Sequence, residues 1–210
     1  RTQGLSITPE QLWREWKALE VDFRHTRLDP RDFSLLPPFK SYQQAWQECF
    51  QAVFQRDGLK GDAAAAAAVC VREMARRQPY PDAQEALPTM QRHWRTALLS
   101  NADDAYLLPL LERSGVAFEL VLTSQMVGTY KPDPTAFRET LARLQVEPEE
   151  AVYVGDTQWE DVLGPSLAGL RSVWVNRTGA APDPSLPLPD FQVRSLTELP
   201  HLLSTEPAFQ

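Results

Sequence analysis

The sequence predicts an α/β fold in which a parallel sheet is covered by helices on both faces, preceded by an all-helical region. Two observations predict it. From Tyr80 onward, short apolar runs alternate with amphipathic stretches, the pattern of strand–helix–strand units in a parallel sheet. Before Tyr80 the apolar residues recur at helical spacing and strand alternation is absent. With 210 residues, 43% of them hydrophobic, the chain can bury one substantial core, or one core and a smaller appended domain. The expected division is a helical region over 1–79 and an α/β region over 80–210, with the boundary near Gln78.

The elements follow in order. Thr8-Pro9-Glu10-Gln11 is a helix start: Thr8 caps, Pro9 takes the first helical position, and Gln11 is placed to return the capping bond. Leu12, Trp13, Trp16, Leu19 and Phe23 then share one face, expected to be buried. After Pro37-Pro38, Ser41 caps a second helix striped by Tyr42, Trp46, Phe50, Val53 and Phe54, which Asp57-Gly58 ends. A third helix runs from Asp62 through the alanine block to Met74, alanine favouring helix by its low entropic cost. Helices are then expected over 82–94, 105–114, 134–144, 160–168 and 196–203, and strands over 96–99, 120–122, 152–154 and 173–175. The proline-dense stretch 179–189 reads as a surface loop.

Bulk properties exclude some partners. A formal charge of −7 argues against nucleic acid and anionic membrane, since both need a basic face, so an anionic substrate would need local cations. Cys49 and Cys70 lie in apolar helical patterns without zinc or disulfide spacing and read as buried thiols. No apolar run reaches the roughly 18 residues of a membrane span, and no secretory signal is present, so a cytoplasmic location is expected. Nothing in the sequence fixes an oligomeric state. His25, His93 and His201 lack ligand spacing and read as structural, and Arg24 and Arg27 read as exposed helix arginines.

In open parallel sheets, ligands bind beyond the carboxyl ends of the strands. Three polar groups fall there: Ser100-Asn101, Lys131-Pro132-Asp133 and Gly155-Asp156-Thr157. The Ser100 hydroxyl, with backbone N–H groups at the next helix start, suits a phosphoryl oxygen, though a plain helix cap would use the same residue. Asn101 fits the same site or a turn. Asp103 and Asp104 read as favourable charges at a helix N-terminus. Pro132 holds Lys131 in extended or turn backbone, aiming its side chain away from the following helix. Asp156, at a strand end beside Gly155, suits magnesium, which takes hard oxygen ligands and usually one or two protein carboxylates.

Through LLSN (98–101), YKPDPTAF (130–137) and VGDTQWED (154–161), in that order and strand context, the chain resembles the haloacid dehalogenase superfamily. The resemblance is carried by about 80–203, and the helical region before it is similar to the family's inserted cap in position and character. It implies a Rossmann-like core with an all-helical cap. It also implies that Lys131 neutralises charge on nucleophile and phosphate, that Asp156 binds Mg²⁺, and that Asp161 is a second ligand or an orienting partner of the lysine. Asp161 as a mere helix-end charge stays open. The acidic Gly-Asp pair, absent from metal-free dehalogenases, favours a magnesium-dependent phosphatase acting on a small phosphorylated metabolite through an aspartyl-phosphate. The alternatives are a 2-haloacid dehalogenase and a non-catalytic binding protein of the same fold. The family's Asp-x-Asp nucleophile motif is not in this sequence. A strand carrying it is expected just upstream of Arg1, the first residue being arginine and 1–6 resembling the linker that follows that motif.

Overall fold

The computed structural model describes residues 3–29 and 31–206. Their packing divides into two compact units. The first comprises the described residues up to Arg77 together with Asn101–Gly115 and Thr123–Gly128; the second comprises Gln78–Ser100, Val116–Leu122 and the residues from Thr129 on.

The first unit is helical. α1 (Pro9–Thr26) starts where expected, with Thr8 accepting from the Gln11 backbone N–H at 3.1 Å. The return half of the capping box does not form, because the Gln11 amide turns along the helix to Glu15 instead. α2 (Tyr42–Arg56) carries the complete box between Ser41 and Gln44, and α3 (Ala63–Ala75) is capped by Asp62. The α2 stripe is buried as expected. The α1 stripe is corrected: Trp13 is 59% exposed, whereas Glu20 is buried, its carboxylate gripped by Lys17 and Arg24 at 2.5 Å each. Ion pairing thus lets a charged residue take a core position that its type disfavours. Arg27 also departs from expectation: it is buried and donates to the Tyr42 hydroxyl. Trp16 stacks on Phe50 with ring centres 5.4 Å apart, and Trp46 stacks on Tyr106 of α5 (Asp104–Ser114) at 6.0 Å, so the core is largely aromatic. A short helix α6 (Ser124–Val127), not expected from the sequence, completes this unit, with Thr123 capping its start and Gly128 ending it. The Cys49 thiol is buried here, and that burial pushes it up to about 11.

Asp103, expected to serve its own helix, does something else. Fully buried, it accepts from the backbone N–H groups of Tyr42 and Gln43 at 2.8 and 2.7 Å, capping the start of α2 from about 60 residues away. Burial raises its carboxyl above the usual value, and the two N–H donors work against that.

The second unit holds the strands. β1 (Ala97–Ser100) pairs with β2 (Leu120–Thr123), while β3 (Val152–Gly155), β4 (Arg171–Val175) and β5 (Phe191–Val193) form a three-stranded parallel sheet. The parallel α/β class holds, with the strands in two sheets. β5 is a strand that the sequence did not predict. On one face Val173 and Val175 pack with Val193 against Met90 of α4 (Pro81–His93) and against Leu199 and Leu203 of α9 (Leu199–Thr205). On the other face Tyr153 meets Phe137 of α7 (Pro134–Leu144) edge-on at 4.9 Å. The helix expected over 160–168 is in fact a π-helical turn, Trp159–Leu163, continued by α8 (Gly164–Ala168). No described helix is long and apolar enough to cross a membrane.

Candidate functional site

The carboxyl ends of β1 and β3, with the turn before α7, carry the candidate residues of the second unit. Lys131 sits in that turn, joined to Pro132 by a cis peptide bond, and is 7% exposed. Its ammonium donates to Asp161 Oδ1 at 2.6 Å and to the Tyr153 hydroxyl at 2.8 Å. Burial works against the ammonium, but Tyr153 and the Asp161 carboxylate together outweigh burial and hold Lys131 above the ordinary lysine value. Burial pushes the Tyr153 phenol up as well, the neighbouring ammonium opposing, so it stays a neutral hydroxyl.

The π-helical turn delivers Asp161 to this position; such turns insert one extra residue and recur at functional sites. Its second oxygen, Oδ2, accepts from the N–H groups of Asp156 and Thr157 at 3.1 and 2.9 Å. One carboxylate therefore fixes the lysine and shapes the turn that carries Asp156. Gly155 makes the approach possible, since a Cβ there would lie 2.3 Å from the Asp161 carboxyl carbon. Gly164 has the same office for Phe137, whose ring would meet an added Cβ at 2.4 Å.

Asp156 follows β3 with its side chain 59% exposed, and its Oδ2 lies 4.0 Å from the Arg177 guanidinium. Two residues on, Gln158 is buried and reaches the loop after β4. Its amide donates to the carbonyls of Asp183 and Pro187 and accepts from the Asp183 N–H, at 3.3, 3.0 and 2.8 Å. Ser100 closes β1, half-buried, one residue after Leu99, whose carbonyl accepts the Tyr153 hydroxyl at 3.1 Å. Hydrogen bonds thus run from the end of β1 through Tyr153 and Lys131 to Asp161 and the Asp156 turn. Asn101 belongs to the first unit.

For a divalent cation the donor set offers one exposed hard-oxygen group, Asp156, because both Asp161 oxygens already accept hydrogen bonds. Among the described residues no three His, Cys, Asp or Glu side chains converge. Magnesium keeps several waters and commonly takes one or two carboxylates plus substrate phosphate, so Asp156 fits as one protein ligand of such a site.

Sequence reasoning missed Tyr153 and Arg177. Tyr153 had one local signal: between Val152 and Val154 it must point to the opposite face of β3. Arg177 had none.

Comparison with known proteins gives the same frame. The phosphoserine phosphatase of Thermus thermophilus is 42% identical over 131 residues, 61% of this chain and 52% of that protein, so the match spans about half of that relative. The (S)-2-haloacid dehalogenase 4A of Burkholderia cepacia is 28% identical over 209 residues, covering 95% of this chain and 84% of that one. A crystal structure of a dehalogenase superposes with a TM-score of 0.74 at 27% identity, covering 94% of this chain and 85% of that one. A model of haloacid dehalogenase-like hydrolases matches residues 8–169, and the chain belongs to that family.

Proposed function

We propose that this hydrolase is a magnesium-dependent phosphatase acting on a small phosphate monoester. The observation that carries the reading is the exposed Asp156 carboxylate on a turn that Asp161 ties to the buried Lys131 ammonium. In this reading Asp156 holds Mg²⁺, which when bound draws charge from the phosphoryl oxygens. Asp161 acts as the anchor of Lys131 rather than as a second ligand. Lys131 offers a charge already fixed in place, so little reorganisation accompanies the development of negative charge. The Ser100 hydroxyl, together with Asn101, binds a phosphoryl oxygen, and the helical region 1–79 acts as the cap that selects the substrate. In this reading an aspartate of the family's first motif, which this sequence does not contain, attacks phosphorus to give an aspartyl-phosphate that water then hydrolyses. The 42% identity to a phosphoserine phosphatase supports this reading.

A second reading, 2-haloacid dehalogenase, is favoured by one observation: a relative of that activity matches over 95% of the chain. The discriminating experiment measures phosphate release from a panel of phosphate esters, and halide release from 2-haloacids, with and without Mg²⁺. It uses the chain as it stands and the chain preceded by the residues its gene encodes upstream. Magnesium-dependent phosphate release, lost in Asp156→Asn without loss of folding, is expected of the longer protein. Metal-independent halide release would replace the reading with the dehalogenase, and inactivity on every substrate with a binding protein.

A further inference from the structure

Arg177 follows β4 and is held from two sides. Its guanidinium forks onto Asp82, Nε to Oδ2 at 3.1 Å and Nη2 to Oδ1 at 3.3 Å, and it lies over the Tyr80 ring, 4.4 Å from the centre. Asp82 is itself fixed by accepting from the Leu196 N–H at 3.1 Å. The remaining arm, Nη1, stands 4.0 Å from Asp156 Oδ2. That is too long for a hydrogen bond, but charge acts over that distance. The fork and the ring stacking suit arginine specifically and keep the cation from retreating when another cation approaches.

We propose that Arg177 is a specificity-determining residue that sets how tightly Asp156 holds a divalent cation, by presenting a fixed positive charge beside its carboxylate. The inference rests on the reading of Asp156 as the metal ligand. A metal arriving at Asp156 meets a neighbouring positive charge that cannot move away. A unit charge and a divalent ion about 4 to 6 Å apart in a water-like dielectric alter an equilibrium by about ten- to thirtyfold. Arg177 therefore keeps the metal-only state weakly populated, and the site fills readily only when an anionic ligand offsets the excess positive charge.

The test measures Mn²⁺ binding, as a paramagnetic stand-in for Mg²⁺, by electron paramagnetic resonance at low ionic strength. It compares the wild-type chain, Arg177→Gln, Arg177→Lys, Asp156→Asn and the Asp156→Asn/Arg177→Gln double variant. Arg177→Gln should tighten binding about ten- to thirtyfold. Arg177→Lys, which keeps the charge but not the fork that Asp82 grips, should fall between it and wild type. Asp156→Asn should weaken binding at least tenfold in either background. If Asp156→Asn weakens binding but Arg177→Gln leaves it unchanged or weaker, the inference fails while the metal reading stands. If Asp156→Asn binds as wild type does, or no protein binds Mn²⁺ at all, the metal reading fails and takes the inference with it. Thermal melts followed by circular dichroism establish folding. If Arg177→Gln does not fold, an Arg177→Lys affinity no tighter than wild type overturns the inference by itself.

Discussion

Replacing Asp161 by Asn should destabilise the protein by about 3–5 kcal/mol at pH 7, the usual cost of removing one partner from a buried ion pair. The structure places this case at that level rather than at the near-zero value of a surface pair. The Lys131 and Asp161 side chains are 9% and 4% exposed, and the carboxylate accepts three hydrogen bonds. Asparagine has one oxygen and one amide nitrogen, so it cannot face both the ammonium and the two backbone N–H groups with acceptors. Whichever side meets its NH₂ group is left with donors opposing donors. The pH dependence adds a second signature. In the wild type the folded Lys131 is raised above its unfolded value, so the pair's stabilisation is complete below roughly pH 10 and declines as pH rises through the raised value. In the variant burial loses its charged opponent and the Tyr153 hydroxyl is the acceptor left to the ammonium, so the folded lysine falls below its unfolded value. The stability lost to burying its charge then returns as pH climbs toward about 10. The gap between the two proteins should narrow from pH 7 to pH 10. Urea unfolding followed by tryptophan fluorescence at pH 7, 8.5 and 10 measures it. A loss below about 1 kcal/mol at pH 7, or a gap that stays constant up to pH 10, would refute the argument.

Tyr153→Phe keeps the ring against Phe137 but removes the hydroxyl that joins Lys131 to the Leu99 carbonyl, and should cost about 1–3 kcal/mol in the same urea assay, with the strands retained by circular dichroism. Asp103→Ala uncovers two backbone N–H groups at the start of α2 and should cost about 2 kcal/mol, less what is regained by no longer burying a charge. Hydrogen exchange should locate that second loss in the first turn of α2, and uniform protection across the helix would contradict it.

Local signals carried much of the fold. Caps at Thr8 and Ser41 marked two helix starts and the alanine block a third helix, and short apolar runs marked the strands, because these signals act within a few residues. Lys131 and Asp156 were legible by position, each standing where a strand or turn gives way to a helix. What escaped depends on partners distant in sequence. Tyr153 meets Lys131 across 22 residues, Arg177 meets Asp82 across 95, and Asp103 caps a helix that begins 61 residues earlier. The burial of Glu20 escaped because residue type alone argues for exposure, and only the two cations flanking it reverse that. The π-helical turn was illegible because its single extra residue leaves the helical apolar spacing almost unchanged.

The hold of Gln158 on the loop after β4 bears on which changes that surface can accept. An exposed segment of this kind would ordinarily tolerate insertions and lengthening. Here one carboxamide spans Asp183 and Pro187, so the path between those two residues has a fixed length. The prolines at 182, 184, 187 and 189 have already removed much of the slack that would absorb a change. An added residue between 183 and 187 would unhook the amide two positions from Asp156, whereas exchanging the exposed side chain of Leu188, just past that span, would leave the path alone. The segment is thus open to drift in composition and closed to drift in length, and a peptide graft would be better seated elsewhere on the molecule.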